Sequence, residues 1–90
     1  MELFEEANEL HRAGNYAEAE KKYDLLLTQN HDNGGLLATM GTLHLQTHRV
    51  GMAITLLHRA LEKLPNQSEI LSNLGLAYKN AGQRDKAFKY

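Results

Sequence analysis

Leu71-Ser72-Asn73-Leu74-Gly75-Leu76-Ala77-Tyr78-Lys79-Asn80-Ala81-Gly82 is the stretch that decides the fold. Leu71, Leu74, Gly75 and Tyr78 follow a three-and-four spacing, one face of a helix, and Gly82 is the residue that ends it. Moved back by 34 residues, the same register gives Leu37, Met40, Gly41 and His44; moved back again it gives Leu3, Ala7, Leu10 and Gly14. Ala19, Ala53 and Ala87 keep the step, as do Tyr23 with Leu57 and Leu26 with Ala60. A period of this size marks stacked supersecondary units, and 34 is the spacing of a helix–turn–helix repeat.

Within that frame the apolar spacing predicts helices over 2–13, 16–29, 35–47, 50–63, 69–81 and 84–90. Gly14 and Gly82 mark breaks, with His48 at the equivalent place. Asn15 followed by Glu18 reads as an N-cap with a reciprocating acid, and Ser68 as the cap of the fifth helix. Gly34-Gly35 reads as a short turn between repeats, since no phosphate-loop motif surrounds it. Pro65 closes the second repeat. Small residues at Ala7, Gly41 and Gly75 and at Ala19, Ala53 and Ala87 are expected where helices cross closely.

Composition narrows the class. Hydrophobic residues make up 42% and charged residues 23% of the 90, which suits a folded domain. There is no cysteine, hence no disulfide frame or thiolate metal site. No apolar run approaches the length of a membrane span, and the N-terminus lacks the pattern of a signal peptide, so a cytoplasmic location is the default expectation. The formal net charge of −1 hides an asymmetry, about −5 over residues 1–33 and +4 from residue 34 onward. This reads either as solvated helix faces or as attraction between neighbouring repeats or copies. Neither half is basic enough for nucleic-acid binding, and no membrane partner is expected.

Taken together, these residues resemble the tetratricopeptide repeat family. The third repeat carries Leu71, Leu74-Gly75, Tyr78, Gly82 and Ala87 of its pattern; the second carries Leu37, Met40-Gly41, Val50, Ala53, Leu57, Ala60 and Pro65. The first carries Leu3, Ala7, Leu10, Gly14, Tyr16, Ala19, Tyr23 and Leu26. His44 in place of the aromatic, His48 in place of the turn glycine and Leu26 in place of the packing alanine are its departures. The resemblance implies an all-α, right-handed solenoid of about 2.7 repeats, bounded at about 1–33, 34–67 and 68–90 in a single domain.

It also implies a function, a concave groove in which the first helices hold an extended peptide or a partner segment. The first repeat would contribute Phe4, Asn8, His11 and Arg12, and the second Ala38, Thr39, Thr42, Leu45 and Gln46. The third would contribute Ser72, Asn73, Leu76, Lys79 and Asn80. Phe4, Leu45 and Leu76 are the expected apolar anchors. Family members that grip a C-terminal carboxylate do so with a clamp of cations and amides. The corresponding Phe4, Asn8, Thr39, Glu69 and Asn73 match it only at Asn8, so chaperone-tail binding is not expected. Two alternatives stand beside the groove: a substrate-recruiting segment of a larger enzyme, such as a glycosyltransferase, and a self-associating scaffold.

Chemistry within the chain is not expected. Among the five histidines, His44 and His48 lie four apart on a predicted helix, but no carboxylate-bearing metal motif accompanies them. His44 is expected to be packed and hydrogen-bonded rather than to hold a metal. No nucleophile, base and orienting group can be assembled by spacing, so neither catalysis nor a cofactor is expected. The period is cut within its third unit at Tyr90, which reads as a piece of a longer chain. An exposed C-terminal stacking face made of Leu71, Leu74, Tyr78, Ala87 and Phe88 would then be available for self-association.

Overall fold

Three left-handed backbone positions, each 34 residues after the last, give the chain its reversals: Gly14 at φ 85°, His48 at φ 64° and Gly82 at φ 79°. In the computed structural model, which describes residues 3–82, each follows a first helix. The helices are α1 (Leu3–Arg12), α2 (Tyr16–Gln29), α3 (Gly34–Gln46), α4 (Val50–Lys63) and α5 (Ser68–Asn80). At the first reversal the amide of Asn15 donates to the Leu10 carbonyl at 2.8 Å and that of Gly14 to His11 at 3.1 Å. At the second, Arg49 donates to His44 at 2.8 Å and His48 to Leu45 at 3.3 Å. Both are the paired C-terminal bonds that a left-handed residue makes possible, and they satisfy carbonyls the helix would leave orphaned. The sixth helix predicted over 84–90, with Ala87 and Phe88, lies outside the described residues.

Each helix packs on its neighbours in the chain, and α3 also reaches α5, the pattern of a helical solenoid. The molecule is accordingly elongated, 42 × 25 × 18 Å. Its core is continuous from Ala7, Ala19 and Tyr23 through Leu37, Leu57 and Ala53 to Leu74 and Ala77. Gly41 explains how tightly α3 and α4 approach. A Cβ on it would sit 2.7 Å from the Leu57 Cγ, so glycine meets leucine there rather than a second small residue.

Three local expectations are corrected. Asn15 precedes α2 but its side chain makes no capping bond, and α5 starts at Ser68 behind Gln67, also without a side-chain cap. The working cap is Asn33, whose Oδ1 accepts from the Leu36 amide at 3.0 Å. That bond starts α3 at Gly34, so Gly34 and Gly35 belong to the helix and not to a turn. Gly34 is buried, and a Cβ there would lie 2.9 Å from both Leu64 Cγ and Lys63 Cβ. Its lack of a side chain lets α3 begin directly under the end of α4.

Candidate functional site

The first helices α1, α3 and α5 are joined side by side by polar rungs. Between α1 and α3, the His11 Nε2 lies 2.5 Å from the Gln46 Oε1. Between α3 and α5, the Asn73 amide donates to the Thr42 hydroxyl at 3.0 Å. Behind the first rung stands Tyr23 of α2, a buried ring whose hydroxyl donates to Asn8 Oδ1 at 2.6 Å. Its oxygen lies 3.1 Å from the His11 Nδ1. Burial raises the phenol pKa to about 12 against an opposing pull from Arg12, so Tyr23 remains a donor. Phe4 closes this cluster edge-on against Tyr23, ring centroids 6.2 Å apart.

Four of the expected groove residues therefore meet in one network: Asn8, His11 and Gln46 by hydrogen bonds, Phe4 by its ring. The Asn8 and Gln46 side-chain oxygens and both ring nitrogens of His11 are engaged within it. Tyr23 is the member that sequence reasoning placed only in the core. Its signal was its type, since a buried tyrosine hydroxyl must find a partner and the equivalent Leu57 has none to offer. Leu45, an expected anchor, is drawn into the core at 8% exposure, whereas Leu76 is 47% exposed. Arg12, Ser72, Lys79 and Asn80 are exposed and make no side-chain hydrogen bond among the described residues.

A cavity of about 290 Å³ opens between α3 and α5, lined in part by Ala38, Thr39, Thr42, Glu69, Ile70 and Asn73. Four of these six were expected groove residues. Leu64 and Gln67, from the connection before α5, complete one wall. The hydroxyl protons are already spent: Thr39 donates to the Gly35 carbonyl at 2.9 Å and Thr42 to Ala38 at 3.0 Å.

The seam between the first two repeats brings α2 against α3. His44, 1% exposed, faces Glu20 of α2 with Nε2 3.9 Å from the carboxylate, while its Nδ1 has no hydrogen-bond partner. The residue is packed as expected, but it lacks the expected hydrogen bond. Burial lowers its pKa, partly offset by Glu20. Glu20 is in turn held by Arg49 at 2.6 Å. Asp32 lies 3.9 Å from Lys63, and Arg59 donates to the His31 carbonyl at 3.2 Å. The acidic first repeat and the basic second one are thus attracted across their own seam. Among the described residues no group of three or more metal-ligating side chains converges, and no helix is long and apolar enough to cross a membrane.

Moving this seam by one period explains two further positions. Tyr78 is the counterpart of His44 and bonds His58, the counterpart of Asp24, at 2.6 Å. Leu74 and Tyr78 are therefore buried, not exposed, and Leu71 is half-buried. Leu74 and Tyr78 belong to the core shared with the preceding repeat, which corrects their assignment to an open C-terminal face; Ala87 and Phe88 are outside the described residues. Moved back instead, Met40, Met52 and Leu56 become Glu6, Glu18 and Lys22, with Glu6 and Lys22 3.4 Å apart. Charged residues thus stand in the first repeat where the second buries Met40 and Leu56.

No family model matches the chain. Its fold is similar to that of a solved structure titled "MamA RS-1 ArsTM double mutant", with a TM-score of 0.91 over 97% of this chain at 22% identity. The match takes in 49% of that chain, so the present one spans about half its length. The fold is a tetratricopeptide-like all-α solenoid.

Proposed function

We propose that this chain is a protein-interaction module that holds an extended segment of a partner along α1, α3 and α5. The observation that carries the reading is the cavity between α3 and α5, where Ala38, Thr39, Thr42 and Asn73 converge beside the exposed Leu76. Rungs tying the first helices together make the surface rigid before a partner arrives, which lowers the ordering cost of binding. No arrangement of nucleophile and base among the described residues supports a chemical step in this stretch. A larger enzyme that uses such a segment for recruitment would need its catalytic groups elsewhere.

Peptides selected by display on the intact chain provide the test. Binding is expected to fall at least about tenfold in an Asn73→Ala, Leu76→Ala double variant, the loss of roughly one apolar anchor and one hydrogen bond. A Leu25→Ala, Met52→Ala variant, altered at exposed positions on the second helices, should bind as wild type. The reverse pattern would move the binding surface to the opposite side.

A further inference from the structure

The cavity between α3 and α5 presents several hydrogen-bond acceptors and one carboxylate, with the Gln67 amide and the second amide hydrogen of Asn73 as its side-chain donors. Thr39 and Thr42 have given their hydroxyl protons to helix carbonyls, so both turn only lone pairs outward, and that of Thr42 already accepts from Asn73. With one amide hydrogen of Asn73 committed in that bond, its Oδ1 remains an acceptor with no partner among the described residues. Glu69 is the one charged residue among the described residues lining the cavity, and it makes no ion pair among them. Ala38, Leu64 and Ile70 supply apolar wall beside these oxygens.

An aliphatic stem ending in a donor-only cation matches that combination: methylenes on the apolar wall, N–H groups on the oxygens. From this geometry we infer that the cavity receives a lysine or arginine side chain of the bound peptide, with Glu69 as counter-ion and Thr39 and Asn73 as neutral acceptors. The inference rests on the groove reading above and adds the chemical class of the partner's anchoring residue. An acidic side chain would be repelled by Glu69 and would find only the Gln67 and Asn73 amides to donate to it, with no cation among the described lining residues to balance its charge.

Nitrogen–proton correlation spectra of the 90-residue chain, titrated with three capped alanine pentapeptides, test it. The central residue is lysine in the first, norleucine in the second and glutamate in the third. The lysine peptide should shift the amides of Gly35, Thr39 and Asn73 and bind about fivefold tighter than the norleucine one, an advantage that shrinks as salt is raised. Glu69→Gln should bring the two within about twofold, and Glu69→Lys should transfer the preference to the glutamate peptide. Glu69 is exposed, so spectra of both variants should overlay wild type away from the cavity. Equal binding of lysine and norleucine peptides to wild type, or a preference that survives Glu69→Gln, would overturn the cationic assignment and leave the groove standing. If none of the three peptides moves these amides, the groove reading falls with it.

Discussion

At the scale of single residues, two positions show what the repeat demands and how the sequence meets it. His48 occupies φ 64°, where its equivalents Gly14 and Gly82 are glycine. A side chain in the left-handed region costs about 1–2 kcal/mol, and part of the relief on removing it is lost to the greater freedom of glycine in the unfolded chain. His48→Gly should therefore stabilise the fold by about 1 kcal/mol and raise Tm by about 4–8 °C. An unchanged or lower melting temperature would show that the exposed imidazole makes up for the strain. Gly41 is the opposite case. A Cβ there meets Leu57, which is fully buried, at 2.7 and 2.9 Å from two of its side-chain carbons. Gly41→Ala should destabilise by about 1–3 kcal/mol despite the better helix propensity of alanine. A urea midpoint no lower than that of wild type would mean that Leu57 can step aside without loss.

At the scale of helices, the period made nearly everything legible except the ends. The spans predicted for α2 and α4 coincide with those observed, because Leu26, Leu57 and their neighbours repeat a strong apolar face and Asn30 and Pro65 interrupt it. The starts of α3 and α5 were misread by one residue, since capping depends on a side-chain rotamer that spacing does not encode. Asn15 looked like a cap and is not; Asn33 is one, and it was hidden by the two glycines that follow it. Asn33→Ala should cost about 1 kcal/mol by leaving the Leu36 amide without its acceptor, whereas Asn15→Ala should be close to neutral. Thermal melts of the two variants side by side decide this, and equal losses would refute the capping assignment. The candidate site was legible to a lesser degree. The family resemblance assigned Thr39, Thr42 and Asn73 to the groove, and they line one cavity, but it did not show that Tyr23 ties up Asn8 and His11 from behind.

At the scale of the whole molecule, a solenoid stands or falls on the seams between its units, and the first described seam contains a buried base. His44 is packed among Glu20 and Asp24 of α2 and Arg49 of the following turn, and desolvation lowers its pKa more than the Glu20 carboxylate raises it. Folding therefore favours the neutral imidazole. The unfolded chain takes up its proton first, near the ordinary histidine value of about 6.5. The contribution of His44 to stability is thus fully present above that pH and is lost as pH falls towards the folded-state pKa. Asp24 works in the opposite sense. Burial first, and then Glu20, raises its pKa, so the penalty for its charge is relieved only at lower pH, as the carboxyl protonates. Acidification from pH 7.5 to 5.5 should accordingly loosen the junction of the first two repeats through His44, with protonation of Asp24 acting against that loss. In His44→Tyr the repeat-three residue is placed in repeat two, where Asp24 stands in the position from which His58 bonds Tyr78. That variant should lose less stability than wild type over the same pH interval, with the other four histidines common to both chains. Urea midpoints at the two pH values measure the difference, and an identical decline in both proteins would remove His44 as the proton-sensitive element of the seam.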